Sequence, residues 1–518
     1  MRPSQEFRFW LRRAPTGERV AAGIATLIAI ALLAWLLVPG SGGGATNVAA
    51  SGGGTGASSG EASGPGGAVV TAPGAQGSGA AGSGPAVGGS SGGTGGAAAG
   101  AAGARPASGG ALVGPGCPPL AAGARGITAT QIKLAVMIVD VAGPAANSTF
   151  GLAPPAQQQA DYNAVLDSVN KAGGIACRHV VAQFYNVNPA DQNDQQSKCL
   201  TAVQAQPFVV IDEGSYSFTS PMCFPQHHVP YFGGFFNTIR QSHDAYPYLF
   251  NLNTYDHLYR DTVLGFRDRG LFAASTGFKK LGLIYRDCHK ELIDEEFEAL
   301  HEAGVRDDQI VSYDFGCPSA FASPSDIQQA ILKFKSAGVT HVTGIYVYGD
   351  LANFTNVAQQ QGFKPQYLLA DDGIIAISYG NLRPNPANVV NALAITSGRY
   401  AEERTPGMQP TPGTAACDAI QLAHGMPPTY KVDPGAGNAC NEVWMIKAAA
   451  EHAPVLSAEA LAVGLQRARS IDFSYPSGPN DFSGPQITLG GQFWRVTQYF
   501  EDCSCWRVID PTFHPNHP

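Results

Sequence analysis

The sequence predicts an α/β protein of two doubly wound lobes, on three observations. Strand-like and helix-like stretches alternate from Ile132 onward. Several of the strands are apolar throughout, as in "FVVI" (Phe208–Ile211). The alternation pauses after "YLFNLNT" (Tyr248–Thr254) and then starts again. Alternating β and α units build parallel sheets. Continuous apolar strands suit sheets covered on both faces, and the restart marks a second sheet.

In order, a strand at Ile132–Asp140 leads through the loop "VAGPAANSTFG" to a helix at Pro155–Lys171, which Gly173–Gly174 stops. A strand at His179–Tyr185, a polar helix at Ala190–Ala205, the strand Phe208–Ile211 and a short strand at Val229–Gly234 follow. The second run reads helix His257–Arg269, strand Lys280–Tyr285, helix Glu291–Ala303 and strand Gln309–Phe315. It continues with helix Ser325–Ala337, strand His341–Tyr348, helix Leu351–Gln361 and strand Gln366–Ala370. Period-two alternation over Pro485–Asp510 predicts antiparallel edge material. "RDTVLGFRDR" (Arg260–Arg269) reads as a solvated helix face.

What precedes the lobes is of another kind. Arg2, Arg8, Arg12, Arg13 and Arg19 lie in residues 1–19, ahead of an uncharged apolar run at residues 20–38. That run is close to the roughly 20 residues that span a bilayer, and the arginines place residues 1–19 in the cytoplasm. The expectation is a transmembrane anchor in the cell membrane with the folded domain on the extracytoplasmic side. A cleaved signal is the alternative, since "TNVAAS" (Thr46–Ser51) supplies small residues. Residues 39–125 are nearly all Gly, Ala and Ser, too poor in apolar side chains to offset their ordering entropy, and read as a disordered linker.

Ten cysteines in an exported chain read as disulfides. The layout favours Cys199–Cys223, Cys288–Cys317 and Cys417–Cys440, each joining neighbouring elements. "CSC" (Cys503–Cys505) suits a turn disulfide or two separate partners better than a redox or metal pair. A net charge of −8, with no basic stripe, argues against a nucleic-acid partner.

"ITATQIKLAVMIVDVAGP", "DSVNKAGGI", "FVVIDEGSYS", "VPYFGGFFNT", "KKLGLIYRD", "GVTHVTGIYVYGDLANFTNVAQQQGF", "YLLADDG" and "CNEVWMIKAAAEHA" fall in that order. Together they resemble the type I periplasmic binding proteins, above all the leucine/isoleucine/valine-binding branch of ABC-transporter substrate receptors. The resemblance covers nearly all of residues 126–513. It implies two lobes joined by three crossings, the first about Gly126–Leu249 plus Arg399–Ala453 and the second residues 250–398 and 454–513. It also implies a monomer that takes a small-molecule solute, passes it to an ABC transporter permease and needs no cofactor.

By position the resemblance assigns ligand contacts to Phe150, to Ser215, Tyr216 and Ser217, to Phe236 and Asn237, to Tyr346 or Tyr348, and to Asp371 and Asp372. In the family a buried carboxylate is met by amides and hydroxyls and an ammonium by an acid, which is sound chemistry for desolvated charges. The chain departs from the pattern at Phe236–Asn237, where the family often has a hydroxyl, and at Cys288–Glu291, where it often has Tyr-Gly. The aspartates could equally cap the following turn or helix.

Other features carry less. "GSYSF" lacks the closing glycine of a nucleophile elbow, and "GTGASSG" follows no strand. Adjacent His227 and His228 point apart on an extended chain and make a poor metal pair. Asn147-Ser-Thr is a glycosylation sequon by spelling alone. No nucleophile–base pair stands out, so the expectation is binding without catalysis: an amino acid or amide-like solute captured by cleft closure. A ligand sensor of the same fold, uncoupled from transport, is the alternative.

Overall fold

Nine residues, Gln131–Val139 (β1), seed the first sheet, with their even-numbered side chains on one face and their odd-numbered ones on the other. Both faces are covered, which is why the strand reads as continuously apolar. The computed structural model describes residues 116–149, 152–212, 214, 222–233, 237–286, 290–316, 322–344, 348–371, 384–430, 434–485, 488–491 and 493–517.

After β1 come α1 (Pro144–Thr149), α2 (Pro155–Lys171), β2 (His179–Val187), α3 (Gln192–Gln204), β3 (Val209–Asp212), α4 (Cys223–Gln226), β4 (Tyr231–Gly233), α5 (Ile239–Asp244) and β5 (Leu249–Phe250). The five strands are parallel in the order β2-β1-β3-β4-β5. The second run is α6 (Tyr255–Asp268), β6 (Leu281–Tyr285), α7 (Lys290–Glu302), β7 (Ile310–Asp314), α8 (Pro324–Ala337), β8 (His341–Gly344), α9 (Tyr348–Gln360), β9 (Gln366–Leu369) and β10 (Leu393–Thr396). Three helices follow, α10 (Pro412–Ala423), α11 (Pro434–His452) and α12 (Ala460–Ala468). Strands β11 (Phe493–Phe500), β12 (Cys505–Val508) and β13 (His514–Pro515) end the described chain. The second sheet runs β12-β11-β10-β9-β8-β6-β7, with β13 also on β11. Its strands from β10 to β7 are parallel, while β11 and β12 add the antiparallel edge that the period-two pattern predicted.

Helix α8 shows how local sequence sets these bounds. The Ser323 side chain accepts from the Asp326 amide, Pro324 occupies the first turn, and Gly338 ends the helix in the left-handed region at φ 74°.

Several boundaries differ from expectation. The linker expected through residue 125 gives way to structure before Gly126: Cys117 is bonded to Cys177, Leu120 bridges Leu456, and Arg125 donates to the Val203 carbonyl. Residues 454–513 do not all belong to the second lobe. Leu461, Leu465, Phe473 and Phe482 share the first core with β1, whereas Tyr499 and Trp506 pack in the second. The strand expected over His341–Tyr348 ends at Gly344, whose φ of 138° takes the backbone out of strand geometry. Arg260–Arg269 is no solvated face, since Asp261 to Phe266 are buried against the second sheet.

Cys199–Cys223 and Cys417–Cys440 are bonded, with Cα atoms 6.5 and 6.1 Å apart, and Cys503–Cys505 closes the β11–β12 turn. Cys288 and Cys317 lie outside the described residues, as does the proposed membrane span at residues 20–38. Among the described residues no helix is long and apolar enough to cross a membrane.

Candidate functional site

Strand order locates the site. In β2-β1-β3 and in β7-β6-β8 the chain reverses direction across the sheet, so each sheet has a switch point beyond the carboxyl ends of β1/β3 and β6/β8. Open parallel sheets bind ligands there.

In the first lobe the loop after β1 is held by two buried carboxamides. Asn147 Oδ1 accepts from the Val141 amide at 2.8 Å, and its Nδ2 donates to the Val139 and Ala153 carbonyls at 2.8 and 3.0 Å. Gln158 Oε1 accepts from the Val139 amide at 2.9 Å, and its Nε2 donates to the same two carbonyls at 2.9 and 2.8 Å. A side-chain amide suits both tasks because it offers an acceptor and two donors at once. The Asn147 side chain is thereby consumed, and glycosylation of the folded chain has no free amide to use. Asp140 caps the same turn through the Gly143 amide.

At β3, Asp212 is fully buried and accepts from the Tyr231 hydroxyl at 2.5 Å. Phe224, beside the Cys199–Cys223 bridge, stacks on the Tyr231 ring at 5.4 Å. The strands entering both neighbouring loops are thus fixed side to side.

In the second lobe Arg286, just past β6, donates to Asp350 at 2.5 Å and to the Gly316 carbonyl at 3.1 Å. Asp350 also accepts from the Ala322 amide at 2.7 Å. Burial pushes the Asp350 carboxyl up, against the pull of that amide and of Arg286. One ion pair therefore ties together the chain after β6, after β7 and after β8.

The first and third passages between lobes are hydrogen-bonded to each other, and the second is bonded to the stretch that precedes the third. Asn251 pairs with Thr488 and Gly490, Leu252 accepts from the Gly491 amide, and the Arg399 amide donates to Pro476 at 2.6 Å. A Cβ on Gly478 would fall on the Ser397 carbonyl, and one on Gly491 on the Leu252 carbonyl, so these strands pass closer than any other residue allows. A small open recess lies here, lined by Leu252, Asn253, Ser397, Tyr400, Ser477 and Asn480 among others. It is at the hinge and not at the strand ends.

Of the residues assigned by resemblance, two are described. Asn237 is buried, and its Nδ2 donates to Asn251 at 3.0 Å, linking the loop after β4 to the first crossing. Asp371 follows β9 and is buried, with Oδ2 accepting from the Ser397 amide and hydroxyl at 3.1 and 2.8 Å. Desolvation pushes its carboxyl up, while Thr396, Ser397 and Arg495 oppose this. Asp371 is therefore engaged by the hinge. Phe150, Ser215, Tyr216, Ser217, Phe236, Tyr346 and Asp372 lie outside the described residues, as does the Tyr348 side chain. His227 and His228 are exposed, and no group of three or more His, Cys, Asp or Glu side chains among the described residues could hold a metal.

Sequence reasoning missed Gln158, Arg286 and Asp350. The signal for Arg286 was a charge placed directly after an apolar strand; for Gln158 and Asp350 a polar side chain in a helix gave none.

No protein-family model and no curated protein matches this sequence. Solved structures do match. The branched-chain amino acid transporter substrate-binding protein LivJ from Streptococcus pneumoniae, in complex with isoleucine, is 15% identical. It aligns over 74% of this chain and 100% of its own with a TM-score of 0.54. A solute-binding protein from R. palustris in complex with 4-hydroxybenzoate is 12% identical, over 75% and 98%, with a TM-score of 0.55. A fatty acid ABC transporter substrate-binding protein from Thermomonospora curvata is 14% identical, over 76% and 95%, with a TM-score of 0.52. The chain has the fold of the type I periplasmic binding proteins.

Proposed function

We propose that this chain is an extracytoplasmic solute-binding protein, which closes its two lobes on a small polar solute and delivers it to an ABC transporter permease. The observation that carries this reading is the pair of sheets with matching switch points, joined by three crossings of which the first and third are bonded to each other. Such a hinge lets contacts from both lobes favour a closed form. The reading assigns no catalysis. Residues 20–38 would anchor the domain on the outer side of the cell membrane, with the glycine-rich linker as tether.

The solutes named for the three solved relatives all carry a carboxylate, which fits the donors expected from Ser215, Tyr216 and Ser217. With Asp371 engaged at the hinge, Asp372 is the acid we assign to a solute ammonium. An amino acid or an amide-like relative satisfies both ends, with Phe150, Phe236 and Tyr346 as apolar walls.

Thermal-shift screening of the full chain with amino acids, amides, aromatic acids and sugars tests this. A binder raises the melting temperature with concentration, and Asp372→Ala removes the response to a zwitterionic hit. No shift with any carboxylate solute, or turnover of one, would overturn the reading.

A further inference from the structure

The stretch Asp510–His517 leaves β12 and runs back across the second lobe. Phe513 lies over two guanidinium groups of the hinge region, with Arg495 at 4.4 Å and Arg399 at 5.6 Å from its ring centre. Both arginines bond Glu402, which is buried. His514 and Pro515 pair with Trp494 and Phe493 of β11. Asn516 donates to the carbonyl of Gly491, the glycine of the third crossing, at 3.4 Å.

The stretch is fastened by His517. Its Nδ1 lies 2.8 Å from Asp261 Oδ1, and its Nε2 lies 2.9 Å from Asp268 Oδ2, both acids on α6. Its backbone amide donates to the same Asp261 oxygen at 2.8 Å. The imidazole is 12% exposed and stacks on Trp494 at 5.3 Å. A neutral imidazole has one donor and one acceptor nitrogen, so it can serve only one carboxylate; an imidazolium serves both.

We propose that His517 is a proton-operated clasp: protonated, it fastens the 510–517 stretch to α6 and steadies the hinge crossings, and deprotonated, it lets that stretch go. The inference does not depend on any assumption about the solute. The titratable and charged groups around the clasp are His257, Asp261, Arg267 and Asp268 on α6, Arg269 just after it, and Asp510 and His514 on the stretch itself. Arg267 pairs with Asp268, and Arg269 and His514 with Asp510. Burial works against the imidazolium, but the bonds and charges of Asp261 and Asp268 outweigh it and hold the ring above its ordinary value. A raised folded value means the fastening is complete below the free imidazole value of about 6.5 and lost as pH rises through the docked value.

The test follows His517 by NMR in the full chain, with Trp494 fluorescence and amide exchange of α6 and β11 as structural readouts. The expected midpoint lies above the free value of about 6.5, with both ring nitrogens protonated below it. Amide protection of the 510–517 stretch should be lost progressively between about pH 5.5 and about pH 8.5, as the imidazolium gives up its proton. His517→Gln should remove that dependence, and Asp268→Asn should lower the midpoint. A midpoint at or below the free value, or protection equal on both sides of it, would overturn the proposal. If His517→Gln does not fold, the wild-type titration and Asp268→Asn decide it alone.

Discussion

Arg286 and Asp350, 64 residues apart in sequence, meet at 2.5 Å with side chains 4% and 1% exposed. Removing one member strands the other in the interior, which costs about 3–5 kcal/mol. Arg286→Met and Asp350→Leu should each lower unfolding stability by that amount in denaturant titrations. The double variant should regain most of it, because no unpaired charge is left. Independent, additive losses would contradict the pairing.

Glu296 on α7 is the opposite case. It is 1% exposed and one carboxyl oxygen has no hydrogen-bond partner, so desolvation pushes it up to about 8. Its folded value is raised, so the fold takes up a proton there. Stability is greatest below the unfolded value of about 4.3 and falls by at most about 1.4 kcal/mol per pH unit up to the folded value. Glu296→Gln should remove that slope and be the more stable protein at neutral pH. Parallel stability–pH curves for the two would contradict it.

Gly478 lies against the Ser397 carbonyl at the hinge. Gly478→Ala should cost about 1–3 kcal/mol by overpacking and shift the crossings. Gly362→Ala, where a Cβ meets nothing, is the steric control and carries only the strain of its positive φ. A thermal unfolding series distinguishes them, and equal losses would sink the close-approach argument.

Asn147→Asp turns two donors into acceptors opposite the Val139 and Ala153 carbonyls. The β1 loop should lose its shape at a cost of about 1–3 kcal/mol for the unsatisfied groups. Affinity for the solute found in the thermal screen should fall with it, by calorimetry. Unchanged affinity would separate this loop from the site.

Much of the fold was legible because periodicity and breakers act locally. Helix Pro155–Lys171 was placed to the residue by its repeat and the glycine pair, and strands β1 to β4 and β6 to β9 were placed within a few residues. Strand β10, "LAIT", went unseen because four residues carry too little pattern. The fold of residues 454–485 onto the first core was also invisible, since local pattern does not say which sheet a helix covers. At the site, of the residues that the order of motifs picked out only Asn237 and Asp371 are described, and both bond to residues of the crossings. The Gln158 clamp and the Arg286–Asp350 pair arise from distant residues meeting, which spacing cannot announce.

The first core joins β1 to side chains of α11, α12 and the stretch through Phe482. A nascent chain leaves the ribosome amino end first, so strands β1 to β5 emerge long before the helices that roof them. Until those arrive, α2 alone among the helices of that core covers this side of the sheet, and much of it stays greasy. A stall in translation before α11 would therefore leave a sticky half-product.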